Sequence, residues 1–380
     1  MHQLSLDSRV RENDETGAKM RFCDLALDCV TKLQPYVPGK PIEELERELG
    51  ITNIVKLASN ENPLGPSEKV LAALAEASKE VTRYPDGNGF TLKSALAEKY
   101  HLNTDQITLG NGSNDVLELI ARAFVSPDEE IMFSQYAFAV YPLVTQAIGA
   151  KAVIAPARDY GHDLQAMSTL ISEKTKLIFI ANPNNPTGTY LPINELEAFI
   201  SQVSDQTLIV LDEAYVEYGE QDVDSISLLK HYPNLIITRT FSKAYGLAGL
   251  RVGYALSHPE VADILNRIRQ PFNVNSLALA AAKVALADDD YISKTKQHND
   301  AGMNQLVSGL AALGLTAIPS KGNFITVDVK RNGEAVFSDL LLLGVIVRPV
   351  SNYGLPQHIR ISIGLENENQ RFLDALGQIL

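Results

Sequence analysis

Four short stretches of this 380-residue chain carry polar side chains directly after apolar runs. They are Gly110-Asn111-Gly112-Ser113-Asn114-Asp115, Asn182-Pro183-Asn184-Asn185-Pro186-Thr187-Gly188, Asp212-Glu213-Ala214-Tyr215 and Thr240-Phe241-Ser242-Lys243. Any one of them alone reads as a turn or a helix cap, because Asn, Asp, Ser and Thr fill those places. Four at successive strand ends point to a binding site, since open α/β sheets hold ligands beyond the carboxyl ends of their strands. A buried lysine gives up its proton readily and condenses with aldehydes. Gly112, Ser113 and Asn114 open a helix whose free amides suit a small anion such as phosphate. The same loop lacks the third glycine of a dinucleotide fingerprint and lies too far along the chain for a first βαβ unit, which argues against a nicotinamide dehydrogenase.

The elements that must position these residues alternate. Ile107-Thr108-Leu109, Ile131-Met132-Phe133, Ala152-Val153-Ile154, Leu177 to Ala181, Leu208 to Leu211 and Leu235 to Thr238 read as short buried strands, with helical patterns at 67–80, 92–100, up to Phe124 and near 138–148. Strand–helix alternation predicts an α/β fold with a mostly parallel sheet flanked by helices. After about residue 270 the pattern changes to helices at 276–287 and 291–313, strands at 323–329, 345–348 and 358–363, a helix near 334–343 and a closing helix, which predicts a smaller α+β domain. The expected organisation is an N-terminal arm over 1–20, a segment 21–59 joining the small domain, a large domain over 60–272 and a small domain over 273–380.

Lys and Arg total 33 against 46 Asp and Glu, a net charge of −13, which disfavours an extended nucleic-acid or anionic-membrane surface. Any anionic ligand must be held by a few placed arginines or backbone amides. The N-terminal stretch has no apolar core of a signal peptide and no run reaches membrane-spanning length, so a soluble cytoplasmic protein is expected. Cys23 and Cys29 lack the further ligands a zinc site needs, and the seven histidines are scattered. Asp288-Asp289-Asp290 reads as a solvated helix cap. No metal is expected.

The segment Thr240-Phe241-Ser242-Lys243-Ala244-Tyr245-Gly246-Leu247-Ala248-Gly249-Leu250-Arg251-Val252-Gly253 resembles the cofactor-lysine motif of fold-type I aminotransferases, which use pyridoxal 5'-phosphate (PLP). Asn185-Pro186-Thr187-Gly188, then Asp212 and Tyr215, then Ser242-Lys243 with Arg251 keep that family's order and spacing. The resemblance runs from about Leu33 to the C-terminus. It is nearest the histidinol-phosphate aminotransferase branch through Pro35-Tyr36-x-Pro38-Gly39-Lys40, Leu57-Ala58-Ser59-Asn60-Glu61-Asn62-Pro63, Arg83-Tyr84-Pro85-Asp86, Val347-Arg348-Pro349 and Ile359-Arg360-Ile361-Ser362-Ile363-Gly364.

The resemblance implies roles. Lys243 would carry PLP and serve as general base and acid. Asp212 would pair with the pyridine nitrogen, and Tyr215 and Asn185 would reach the ring oxygen. Gly112, Ser113, Asn114, Thr240, Ser242 and Arg251 would hold the phosphate, joined by Tyr84 from a partner subunit, which implies a homodimer. Tyr136 would stack on the ring. Tyr36, Asn185, Arg348 and Arg360 would bind the substrates, histidinol phosphate and 2-oxoglutarate or glutamate, because guanidinium forks accept both phosphate and carboxylate. The implied activity is histidinol-phosphate transamination in histidine biosynthesis. An aromatic or broad-specificity aminotransferase of the same fold is the alternative, a PLP decarboxylase is more remote, and a non-enzymatic effector module would need a DNA-binding domain for which residues 1–20 leave no room.

Overall fold

The computed structural model describes residues 21–35, 39–219 and 224–380. The arm over 1–20 and Tyr36 therefore lie outside the described residues. The apolar runs pair into one seven-stranded sheet in the order Ile107–Gly110, Gly253–Leu256, Leu235–Thr240, Leu208–Asp212, Thr175–Ala181, Glu130–Ser134 and Lys151–Ala155. All neighbours run parallel except Gly253–Leu256, which is antiparallel to both of its own.

The continuous apolar runs follow from burial on both faces. Side chains alternate between two cores, as the two-residue period of a strand requires. Ile178, Ile180, Ile209, Leu211 and Ile237 pack on one face, and Leu177, Phe179, Val210 and Ile236 on the other. One expectation changes here. Lys151–Ala155 is the sheet's outer strand, paired on one side only, and Ile154 is 57% exposed rather than buried. The four-residue strand Gly253–Leu256 has no sequence signal of its own. Gly253 is needed there because a Cβ would lie 2.4 Å from Ser113 N, so the glycine lets the helix Ser113–Phe124 begin against the sheet.

The second layer is a four-stranded antiparallel sheet in the order Ala317–Ile318, Phe324–Asp328, His358–Ser362 and Arg348–Pro349. Helices Asp289–Ala312, Gly333–Leu342 and Glu366–Ile379 accompany it around a core that includes Leu306, Val327, Leu340, Ile361 and Phe372. Val55–Lys56 pairs in parallel with Val345–Ile346.

Packing shifts the expected boundaries. Helix Ser276–Leu286 buries Ala278, Ala281, Ala282 and Ala285 in the large core, against helices Glu68–Ala77 and Phe90–Tyr100. Its run of alanines permits that close approach. We propose that the boundary falls in the long helix Asp289–Ala312 rather than at 272. The segment 21–59 also divides. Leu45 and Ala58 pack with Ile346 on the small side, whereas Cys29 bonds helix Val140–Ala147 of the large side through Gln146 Nε2 and the Ala147 carbonyl. Asp288 is not a solvated cap, for it is 4% exposed and accepts from Lys69 Nζ at 2.6 Å. Among the described residues no cluster of His, Cys, Asp and Glu could hold a metal, and no helix is long and apolar enough to cross a membrane.

Ala281 is fully buried between helices, so Ala281→Leu should overpack that seam and cost about 1–3 kcal/mol. Thermal unfolding should show a lowered midpoint. An unchanged midpoint would mean the seam is loose.

Candidate active site

The carboxyl ends of the central strands face the small sheet across a cavity of about 200 Å³. At its floor Asp212 ends strand Leu208–Asp212. Its carboxylate accepts from Tyr141 Oη at 2.8 Å and Thr238 Oγ1 at 3.1 Å. Both donors are neutral, and burial pushes the Asp212 carboxyl up to about 6 even though these bonds pull it down. A protonated ring nitrogen beside it would supply the missing opposite charge.

Lys243 follows strand Leu235–Thr240 and donates to the Ser59 carbonyl at 3.1 Å. Burial, followed by the nearby Arg360 and Arg251 guanidinium groups, brings its amine down to about 7. Half of it is then a neutral nucleophile near neutrality. Tyr215 lies beside it, with Lys243 Nζ 5.6 Å from the ring centre. Its phenol accepts from Asn60 Nδ2 at 3.0 Å, and burial pushes it up to about 12, so it stays a proton donor.

Part of the same cavity wall could cradle an anion. Helix Ser113–Phe124 points its N-terminus there, and Gly112 precedes it with a φ of 84°. A Cβ on Gly112 would lie 2.5 Å from Arg251 Nη2, so the loop and the guanidinium meet only because the residue is glycine. Thr240 Oγ1 donates to Ser242 Oγ at 3.0 Å and accepts from Ser242 N at 3.1 Å, on the same side of the cavity. Helix amides, hydroxyls and one arginine make a cradle for a phosphate dianion. The buried carboxylate, the lysine and this cradle lie around one cavity in the arrangement that PLP needs. The residues fit the group.

Arg348 and Arg360 line the cavity from the small sheet. They sit directly opposite each other on adjacent strands, so their side chains share a face. Arg360 donates through Nη1 to Asn185 Oδ1 and through Nη2 to the Ala58 carbonyl at 2.8 Å. Its Nε is buried without an acceptor.

One expected residue is displaced. Phe138, not Tyr136, lines the cavity. Asn184 Nδ2 holds the Tyr136 carbonyl at 2.9 Å, and the Tyr136 ring packs on Val350, Tyr353 and Leu355. We therefore move the ring-covering role to Phe138, two residues on. Tyr84 lies away from this cavity, 83% exposed and stacked on Phe272 with ring centres 4.9 Å apart. Asn60, Tyr141 and Thr238 were not singled out from sequence. Asn60 stood inside a quoted motif, but the other two are revealed only by contacts between distant segments.

The low value at Lys243 is open to a direct test. Reductive modification of the cofactor-free protein with a small aldehyde should reach half its maximal rate at Lys243 near pH 7. A midpoint near 10, as for a surface lysine, would contradict the burial argument.

Residues 52–376 match the model of the aminotransferase class I and II family. Histidinol-phosphate aminotransferase 2 of Pseudomonas fluorescens Pf-5 is 60% identical over 363 residues, covering 94% of this chain and 98% of the relative. The enzyme of the same name from Pseudomonas aeruginosa is 58% identical over equal shares. The crystal structure of histidinol-phosphate aminotransferase from Sinorhizobium meliloti in complex with PLP superposes with a TM-score of 0.87 at 32% identity, covering 93% of this chain and 96% of that one. With its lysine, carboxylate and anion cradle ranged along the strand ends of a fold-type I sheet, the chain belongs to the class I and II aminotransferases, among the histidinol-phosphate aminotransferases.

Proposed function

We propose that this chain exchanges an amino group between histidinol phosphate and 2-oxoglutarate, with imidazole-acetol phosphate and glutamate as the other pair, using PLP in histidine biosynthesis. The observation that carries this reading is the pair Arg348 and Arg360, side by side and facing the cavity that holds Lys243. One substrate brings a phosphate ester and the other two carboxylates, and guanidinium forks accept all three groups. The 60% identity to a histidinol-phosphate aminotransferase supports the same choice.

When bound, PLP supplies an aldehyde that takes the amino group and a ring that draws electrons from the reacting carbon. Lys243 Nζ, brought down to about 7, takes the proton from the substrate carbon that bears nitrogen and returns it elsewhere in the exchange. Asp212, ionised beside a protonated ring nitrogen, keeps that proton in place. Tyr215 and Asn185 orient the ring oxygen, and Phe138 covers the ring. The Gly112 to Asn114 turn with Thr240, Ser242 and Arg251 anchors the phosphate throughout. Arg360 aligns the carboxylate substrate, and Arg348 receives the second anionic group.

The working unit in this reading is a homodimer. Tyr84 is exposed outside its own chain's cavity, and Phe90 and Phe272 are exposed as well. A partner's cofactor phosphate would give the Tyr84 hydroxyl its ligand.

Initial rates with histidinol phosphate and with phenylalanine as donors, at equal 2-oxoglutarate, test the substrate. The expected result favours histidinol phosphate by at least about tenfold, because its phosphate dianion is held by paired guanidinium groups more strongly than the single carboxylate of phenylalanine. A preference for phenylalanine would replace this reading by the aromatic one. Lys243→Ala should abolish both activity and the visible absorption of lysine-held PLP. Gly112→Ala should weaken PLP more than pyridoxal, which lacks the phosphate. Equal weakening would mean that the cradle lies elsewhere.

A further inference from the structure

Asn60 takes no part in the steps above, yet it sits at the cavity wall, 1% exposed, with a left-handed backbone φ of 55°. Its polar groups are committed on every side. The Asn60 amide N donates to Ser362 Oγ at 2.7 Å, and its carbonyl accepts from Asn323 Nδ2 at 3.0 Å. Oδ1 accepts from Ser362 Oγ at 3.1 Å, and Nδ2 donates to Tyr215 Oη at 3.0 Å.

The direction of these bonds follows from proton counting. A serine hydroxyl has one proton. Ser362 accepts from the Asn60 backbone on one lone pair, and Oδ1 is the acceptor its own proton meets. A reversed amide would set Nδ2 against the hydroxyl and take that acceptor away. That fixes which end of the amide faces Tyr215, an orientation that network logic rather than atom positions decides. The phenol oxygen meets an N–H donor and must accept. Its own proton is then left to turn into the cavity. With the amide reversed, Tyr215 would donate to Asn60 instead.

We propose that Asn60, oriented by Ser362, is a positioning residue that aims the Tyr215 proton at the ring oxygen of the cofactor. The proposal rests on the PLP reading above. Ser362 lies on the same strand as Arg360, two residues away and on the same face, so the small sheet that holds the substrate also sets the Tyr215 hydroxyl.

A proton donated to the ring oxygen favours the state in which the lysine-linked nitrogen carries no proton, which lowers the pH at which the visible band titrates. Asn60→Gly removes the amide, keeps both backbone contacts and accepts the positive φ. The charged groups around the site, namely Arg360, Arg251, Asp212 and Glu61, stay in place. The titration midpoint of PLP-loaded Asn60→Gly should rise by about one pH unit, the scale of one lost hydrogen bond to a charged group. The same substitution in a Tyr215→Phe background should add no further rise. Ser362→Ala, which frees the amide to reverse, should move the midpoint in the same direction and keeps the test open if Asn60→Gly folds poorly. An unmoved midpoint in these variants, or an equal rise on top of Tyr215→Phe, would overturn the proposal. Wild-type protein that shows no visible band with PLP would instead overturn the cofactor reading.

Discussion

A buried carboxylate held by neutral donors is the constraint on which the site depends. Asp212 ends a strand buried from Ile209 onward and is bonded by Tyr141 and Thr238, neither of which brings a positive charge. Burial raises its proton affinity, and the two neutral bonds offset only part of that rise. A ligand with a protonated ring nitrogen relieves the misfit, and the rest of the cleft is laid out from that point. Lys243 is made nucleophilic by the same dryness, and Ser113, Thr240, Ser242 and Arg251 line the same cavity. The acidic average charge says little about such a cleft, where Arg251, Arg348 and Arg360 set the local field.

The small sheet supplies what the large one lacks. Arg360 holds the Ala58 carbonyl on its own side and reaches across to Asn185, and Thr326 Oγ1 bonds the Pro186 carbonyl. Gly188 allows this docking, because a Cβ there would lie 2.2 Å from Ser320 Oγ. In the proposed reading, substrate recognition and the cofactor's ring contacts would meet at this seam, through Asn185 on one side and Asn60 on the other.

Much of this was legible in the sequence. Runs such as Leu177 to Ala181 announce buried strands, and polar residues after them announce strand ends. Lys243, Asp212, Tyr215 and Arg251 share the cavity that their order implied. What sequence could not give were relations between distant segments. Tyr141 touches Asp212 across 71 positions. Asn60 meets Ser362 across 302. Tyr136 and Phe138 are both aromatic, and backbone path alone decides which one faces the cavity. The place of helix Ser276–Leu286 depended on its alanines fitting a seam between two other helices, which no local pattern reveals.

The most direct measurement is a half-reaction followed by absorbance. Histidinol phosphate added to the PLP-loaded protein without an amino acceptor should bleach the visible band, and 2-oxoglutarate added afterwards should restore it. A band that histidinol phosphate leaves intact while phenylalanine bleaches it would contradict the account of the two arginines. A band that neither donor changes would contradict the transamination chemistry itself.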